Sequence, residues 1–206
     1  SNGSDSRNPD ETLNPDNSQP DNENGSGGSN NPQPQDPHRI FFQTLSTLQS
    51  LKNSNRIQGA GKKKNKVKGT SGDDLILTGA GKDKLTGKSG ADIFWSWSGE
   101  GFRKKTVDLI TDFDRDEGDL ILLNDAENDF TKLHDGAKFT IATSKKQLKK
   151  AMKTDAQIVY LQKGKKGNLY FNSNKSNPGW GDGGMFLQLL GSPDLLASDL
   201  QIFSEV

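Results

Sequence analysis

The chain predicts a mostly β fold: a short parallel β-roll capped by an N-terminal amphipathic helix and a C-terminal antiparallel β region. Two observations carry the roll and a third sets its limits. Residues 69–95 are three contiguous nine-residue units, GTSGDDLIL, TGAGKDKLT and GKSGADIFW. Within them glycine holds the fourth place (Gly72, Gly81, Gly90), aspartate the sixth (Asp74, Asp83, Asp92) and an apolar side chain the eighth (Ile76, Leu85, Phe94). The first 37 residues are almost wholly Ser, Asn, Asp, Gly, Pro and Gln, with Leu13 their only large aliphatic.

The period sets the geometry. Six glycine-rich residues make a turn that tolerates positive φ, and three residues with one inward apolar side chain make a short strand. Two units complete a coil, so positions eighteen apart stack, and Asp74 lies over Asp92. Coils stack about 4.8 Å apart, and two unit charges that close repel by roughly 3 kcal/mol at an effective dielectric of 20. A hard divalent cation between the coils reverses that repulsion. The turns offer carboxylate and carbonyl oxygens without sulfur or imidazole, a donor set that suits Ca2+. The strongest site is expected between turns 69–74 and 87–92, with Gly69, Ser71, Asp74, Gly87, Ser89 and Asp92 as its residues. Asn65 plus eighteen is Asp83, which places a weaker site on the opposite edge, next to a turn crowded by Lys62, Lys63 and Lys64.

Composition narrows the function. There are 206 residues with 27 basic and 27 acidic side chains, so nothing global points to nucleic acid or to an anionic membrane. Absence of cysteine excludes disulfides and thiolate metal sites. No apolar run approaches the ~18 residues that span a bilayer, so membrane insertion is not expected. The chain opens on Ser1 and shows no signal peptide, which reads as a piece of a longer protein with an upstream domain.

In order, residues 1–37 read as a disordered linker, since they cannot bury enough apolar surface to offset their ordering entropy. Residues 38–54 read as a capping helix: Ile40, Phe41, Leu45, Leu48 and Leu51 share one helical face that would cover the open first coil. The roll is assigned to 55–101. It opens with two degenerate units at Asn55–Ile57 and Asn65–Val67 and ends where Gly101 replaces the aspartate. Residues 102–206 read as a C-terminal β-rich capping region, to which the resemblance named below adds a secretion role. Asp108–Phe113 and Gly118–Leu123 are two strands around an acidic turn, with Asp108 or Asp112 as candidates to complete a last calcium site. Ser144 offers an N-cap for a helix over 145–153, and 157–162 with 168–172 read as a hairpin. Residues 185–190 are a buried strand and 195–203 the closing one.

The nonapeptides follow the G-G-x-G-x-D-x-U-x pattern, with Thr70, Thr78 and Lys88 each replacing a glycine. They resemble the RTX, or haemolysin-type calcium-binding, repeats of secreted bacterial proteins. The segment Asp108–Leu123 and the strand GNLYFNSN are similar to the C-terminal domains of serralysin-type exoproteins, although Asn172 stands where those have an acid. The resemblance implies secretion through a type I apparatus, folding once calcium is met outside the cell, and a loose export signal near Ser204–Val206. It also implies an extracellular protein, with cell-surface attachment an option.

No catalytic motif is present: neither H-E-x-x-H nor G-x-S-x-G occurs, and His134 with Asp135 lacks an activated serine. The chain is therefore expected to be no enzyme, any catalytic domain lying upstream. Two alternatives stand beside the folding and secretion module. One is an adhesive or carbohydrate-binding surface module, for which Trp95, Trp97 and Phe102 or Trp180 would supply aromatic platforms. The other is the non-catalytic tail of a secreted hydrolase.

Overall fold

A computed structural model describes residues 38–40, 55–59, 64–96, 102, 105–124, 130, 133 and 136–203. The strands β2 (Asn55–Gln58), β3 (Lys66–Lys68), β4 (Asp74–Leu77), β5 (Lys84–Thr86) and β6 (Ile93–Ser96) alternate between two sheets. Partners lie eighteen apart between β4 and β6 (Leu75 against Ile93) and between β3 and β5 (Lys66 against Lys84), so two nonapeptides do make one coil, while the degenerate first unit sits nineteen away, Ile57 against Ile76. The eighth-position side chains meet between the sheets. Ile57, Ile76, Phe94 and Ile121 line one inner face, and Val67, Leu85 and Ile110 line the other. Burial of such side chains contributes about 1.5–3 kcal/mol apiece, and it joins strands too short to stand alone.

The ladder does not stop at Trp95. Strand β7 (Asp108–Ile110) adds to β5, and β8 (Leu120–Asn124) adds to β6, both in parallel. The two strands around the acidic turn thus lie in opposite sheets, and that turn is one more coil edge with a longer loop. Past it come β9 (Ala137–Ala142), helix α1 (Lys145–Ala151), β10 (Ile158–Leu161), β11 (Lys166–Phe171), β12 (Gly184–Leu190), a short 3-10 turn (Ala197–Asp199) and β13 (Leu200–Phe203). The hairpin β10–β11 and the Ser144 cap, which accepts from the Gln147 amide, match the sequence reading.

The C-terminal region is mixed rather than antiparallel. β9 and β10 run parallel because α1 carries the chain across between them, the connection that parallel strands require. β12 joins β7 and β13 joins β8 in parallel as well. The roll therefore flows into one eight-stranded sheet, ordered β1-β9-β10-β11-β12-β7-β5-β3 with β1 at Arg39–Ile40, faced by a five-stranded sheet, β13-β8-β6-β4-β2. An aromatic cluster of Phe102, Phe130, Phe171 and Phe186 packs into the shared core.

One expectation is corrected at the N-terminal cap. Arg39–Ile40 is not helical: it is the edge strand β1, antiparallel to β9 with Ile40 opposite Ala137. Ile40 is fully buried there, at the far edge of the sheet from β3, because its side chain completes the main core. The remainder of the expected helix, residues 41–54, lies outside the described residues. So do the linker 1–37, Trp97, Gly101 and the His134–Asp135 pair.

Candidate calcium-binding turns

The sixth-position aspartates are drawn inward although they are charged. Asp74, Asp83, Asp92, Asp108 and Asp119 are all buried, none more than 4% exposed. Each edge of the roll carries a chain of backbone-to-carboxylate hydrogen bonds. On one edge the Asp74 amide donates to Asp92 Oδ1 at 3.0 Å, and the Asp92 amide donates to Asp119 Oδ1 at 2.9 Å. On the other, the Asn65 amide donates to Asp83 Oδ1 at 2.7 Å and the Asp83 amide to Asp108 Oδ1 at 2.7 Å. A carboxylate in each coil thus satisfies the amide that opens the strand one coil earlier. Such charge-assisted bonds are stronger than neutral ones.

Asp108 is thereby the rung after Asp83. Asp112 does something else: its two oxygens accept from the Gly87 and Lys88 amides, at 3.0 and 2.9 Å, and tie the third turn to the next loop. Asp119 went unread as a site residue in the sequence. Its signal was present, since Gly118–Asp119–Leu120–Ile121 repeats the glycine, aspartate and apolar order of the nonapeptides. It lies 27 residues from Asp92, off the eighteen-residue spacing of the repeats.

The turns predicted to hold the ion are stacked. Gly69 is buried so closely against the Gly87 carbonyl that a β-carbon there would overlap it, and it would lie 2.6 Å from Asp74 Oδ2. A β-carbon on Gly87 would overlap Asp92 Oδ2. Ser71 and Ser89 sit exposed on the two turns. Asp74 Oδ2 accepts from the Thr70 amide at 2.5 Å, so its carboxyl closes its own turn. Asp92 Oδ2, by contrast, is buried and accepts no hydrogen bond. Among the described residues no three carboxylate, imidazole or thiolate side chains converge, so a cation here must draw on backbone carbonyls beside the aspartates. Calcium takes such oxygen sets, and the unpaired Asp92 oxygen beside the close-packed glycines fits it.

The electrostatics agree. Burial pushes the Asp92 carboxyl up to about 7, with the neighbouring Asp119, Asp74 and Asp112 charges adding to it. Burial also lifts Asp108 to about 7, with Asp83 beside it, and Asp119 to about 6, with Asp112 and Glu117 beside it. Without metal, these groups bind protons in the folded state that the unfolded chain has released above about pH 4. Metal-free stability should therefore fall as pH rises from about 4 to 7. Calcium binding should tighten over the upper part of that window and release protons. Calorimetric titrations near neutral pH, in buffers of different ionisation enthalpy, check this: a binding heat independent of buffer would contradict it.

The third turn also carries strain. Lys88 adopts φ 84°, the left-handed region that the pattern's glycine would occupy at no steric cost. Lys88→Gly should stabilise the calcium-loaded protein by up to about 1 kcal/mol, read as a raised melting temperature, because relief of the strain exceeds the added chain entropy. A lowered melting temperature would show that the lysine side chain contributes more than its backbone costs.

Residues 64–102 match the model of the RTX calcium-binding nonapeptide repeat, which comprises four copies. A comparison with curated proteins finds no match. The matched stretch is the one in which the glycine turns and aspartate rungs stack, and its repeats bind Ca2+. The chain thus carries a calcium-binding RTX segment. The match ends at Phe102, whereas the aspartate ladder runs on to Asp108 and Asp119.

Proposed function

We propose that this chain is a calcium-triggered folding module of an exported bacterial protein. It crosses the envelope through a type I apparatus as an open chain and closes when it meets calcium outside the cell. RTX repeats are typical of such exported proteins. The observation that carries the reading is Asp92: a buried carboxylate with one oxygen unpaired, stacked between Asp74 and Asp119. Without a cation, closing the coils desolvates these charges and sets them against each other. Asp74, Asp92 and the carbonyls of the stacked turns would hold the ion, which supplies the missing positive charge. Metal binding is then folding free energy. Extracellular modules bind calcium with dissociation constants of about 10⁻⁴ to 10⁻³ M, above intracellular levels.

The continuation of both sheets through β7, β8, β12 and β13 supports a capping role for the C-terminal region. It supplies the partner strands that a roll of few good repeats lacks. Trp95 packs on Phe203 with ring centroids 5.3 Å apart, which favours closure of the last coil as its role over a sugar platform. Under this reading the residues here do no catalysis, and any enzymatic activity belongs to an upstream domain. Among the described residues no helix is long and apolar enough to cross a membrane.

The test is a calcium titration of the chain by far-UV circular dichroism, repeated with magnesium and with Asp74→Ala/Asp92→Ala. A coil-to-β transition near millimolar calcium, absent with magnesium and in the variant, is the expected result. A chain already folded in chelator and indifferent to calcium would sink the mechanism.

A further inference from the structure

The zero net charge of the chain conceals a strong segregation. Between Lys138 and Lys175 there are ten lysines and one acid, Asp155, a net charge of +9 with no arginine. Five of these lysines lie on and just after α1: Lys145, Lys146, Lys149, Lys150 and Lys153, all exposed. Among the described residues the ion pair in this stretch is Lys138–Asp155, at 2.5 Å, which leaves the helix lysines without a carboxylate. Their placement works against the helix. The first turn holds Lys145 and Lys146 and no acid, opposing the helix dipole. Lys145 and Lys149, Lys146 and Lys150, and Lys149 and Lys153 are like charges four apart. Lys149 and Lys150 suit the dipole at the last turn, but the first-turn lysines and the like-charge pairs oppose the helix, which points to a partner that neutralises them.

The same face carries an aromatic stack. α1 covers the outer side of β9 and β10, where Ala142, Val159 and Leu161 are buried and Leu148, Tyr170 and Trp180 pack against them. Tyr170 and Trp180 are stacked, ring centroids 5.0 Å apart and planes 12° apart, and both are half-buried. The end of α1 meets the loop that carries Trp180 in a shallow recess lined by Lys149, Lys150, Met152, Lys153 and Gly179. A row of ammonium groups thus borders a flat ring pair.

We propose that this face binds an acidic polysaccharide, its carboxylate or sulfate groups lying along the lysines of α1 and a sugar ring against the Tyr170–Trp180 pair. Lysine is a hydrated point charge suited to anions on an irregular, mobile polymer. The absence of arginine, the residue of bidentate phosphate and base contacts, argues against nucleic acid. Trp180 is half-buried, stacked on Tyr170 against the apolar cluster of Ala142, Val159 and Leu161, so it offers a ring surface but no side chain reaching out to anchor in a bilayer.

The test is binding of the calcium-loaded chain to chondroitin sulfate, with neutral dextran as control. Binding to chondroitin sulfate alone, weakening as salt is raised, is expected. Lys149→Gln/Lys150→Gln/Lys153→Gln should weaken it about tenfold, while Lys66→Gln/Lys68→Gln/Lys84→Gln, exposed lysines on the roll, should hold it within about twofold. Trp180→Ala, with circular dichroism unchanged, should weaken it without altering the salt slope. No binding at low salt, equal losses in the two lysine variants, or tighter binding to duplex DNA or to phosphatidylglycerol vesicles would overturn the proposal.

Discussion

Asp92→Ala is expected to raise the calcium midpoint of folding by an order of magnitude or more, whereas Asp73→Ala shifts it only slightly. The two residues are both acidic members of the repeats, but the fold treats them differently. Asp92 is buried, accepts from the Asp74 amide at 3.0 Å and keeps its second oxygen unpaired. Removing it deletes a candidate ligand and a charge-assisted hydrogen bond of about 1.5–3 kcal/mol, which is roughly ten- to a hundredfold in an equilibrium constant. Asp73 is exposed, and its Oδ1 accepts from the Ala91 amide at 2.9 Å, a bond that water replaces at low cost. Asp92→Asn separates the two losses, because it keeps an acceptor for the Asp74 amide and removes the charge. Circular dichroism titrations of the three variants give the comparison, and equal midpoints for Asp73→Ala and Asp92→Ala would undo the ligand assignment.

Gly87→Ala should be more damaging still, with no calcium-induced folding at millimolar calcium. Its β-carbon would occupy the place of the Asp92 carboxyl and approach the Phe94 ring to 3.1 Å, so either the rung or the core must move. Overpacking of this kind costs about 1–3 kcal/mol, and here it also displaces the carboxylate proposed to hold the ion. The fourth-position glycines supply an internal control. Gly90 has φ 109°, and a β-carbon on it would lie 2.6 Å from the Gly72 carbonyl carbon. Gly72 itself has open space around it, so Gly72→Ala should leave the midpoint almost unchanged while Gly90→Ala raises it. If both alanines behaved alike, the stacking of turn 87–92 over turn 69–74 would be wrong.

That contrast marks the limit of the repeat pattern as a guide. In the sequence Gly72 and Gly90 are equivalent, and the eighteen-residue stacking, the inward apolar positions and the pairing of Asp74 with Asp92 all follow from the period alone. They follow because a short strand and a glycine turn leave the chain a single local way to coil. What lies past Trp95 obeys no fixed period. Asp108 and Asp119 join the ladder 25 and 27 residues after their partners, because hydrogen bonding to the amides of Asp83 and Asp92 selects the aspartate that reaches, whatever the loop length.

The composition and spacing of this chain determined by themselves that it coils, where its carboxylates gather and which ion they suit. Only the tertiary structure decided how the coil ends: Ile40 on an edge strand where a helix was expected, β10 parallel to β9 across α1, and both sheets of the roll prolonged into the C-terminal region. The physical reason is range. Turn chemistry and periodicity act over a few residues, whereas the choice of partner strand is settled by burial of side chains far apart in the chain, as Ile40, Phe171 and Ile202 are in the common core.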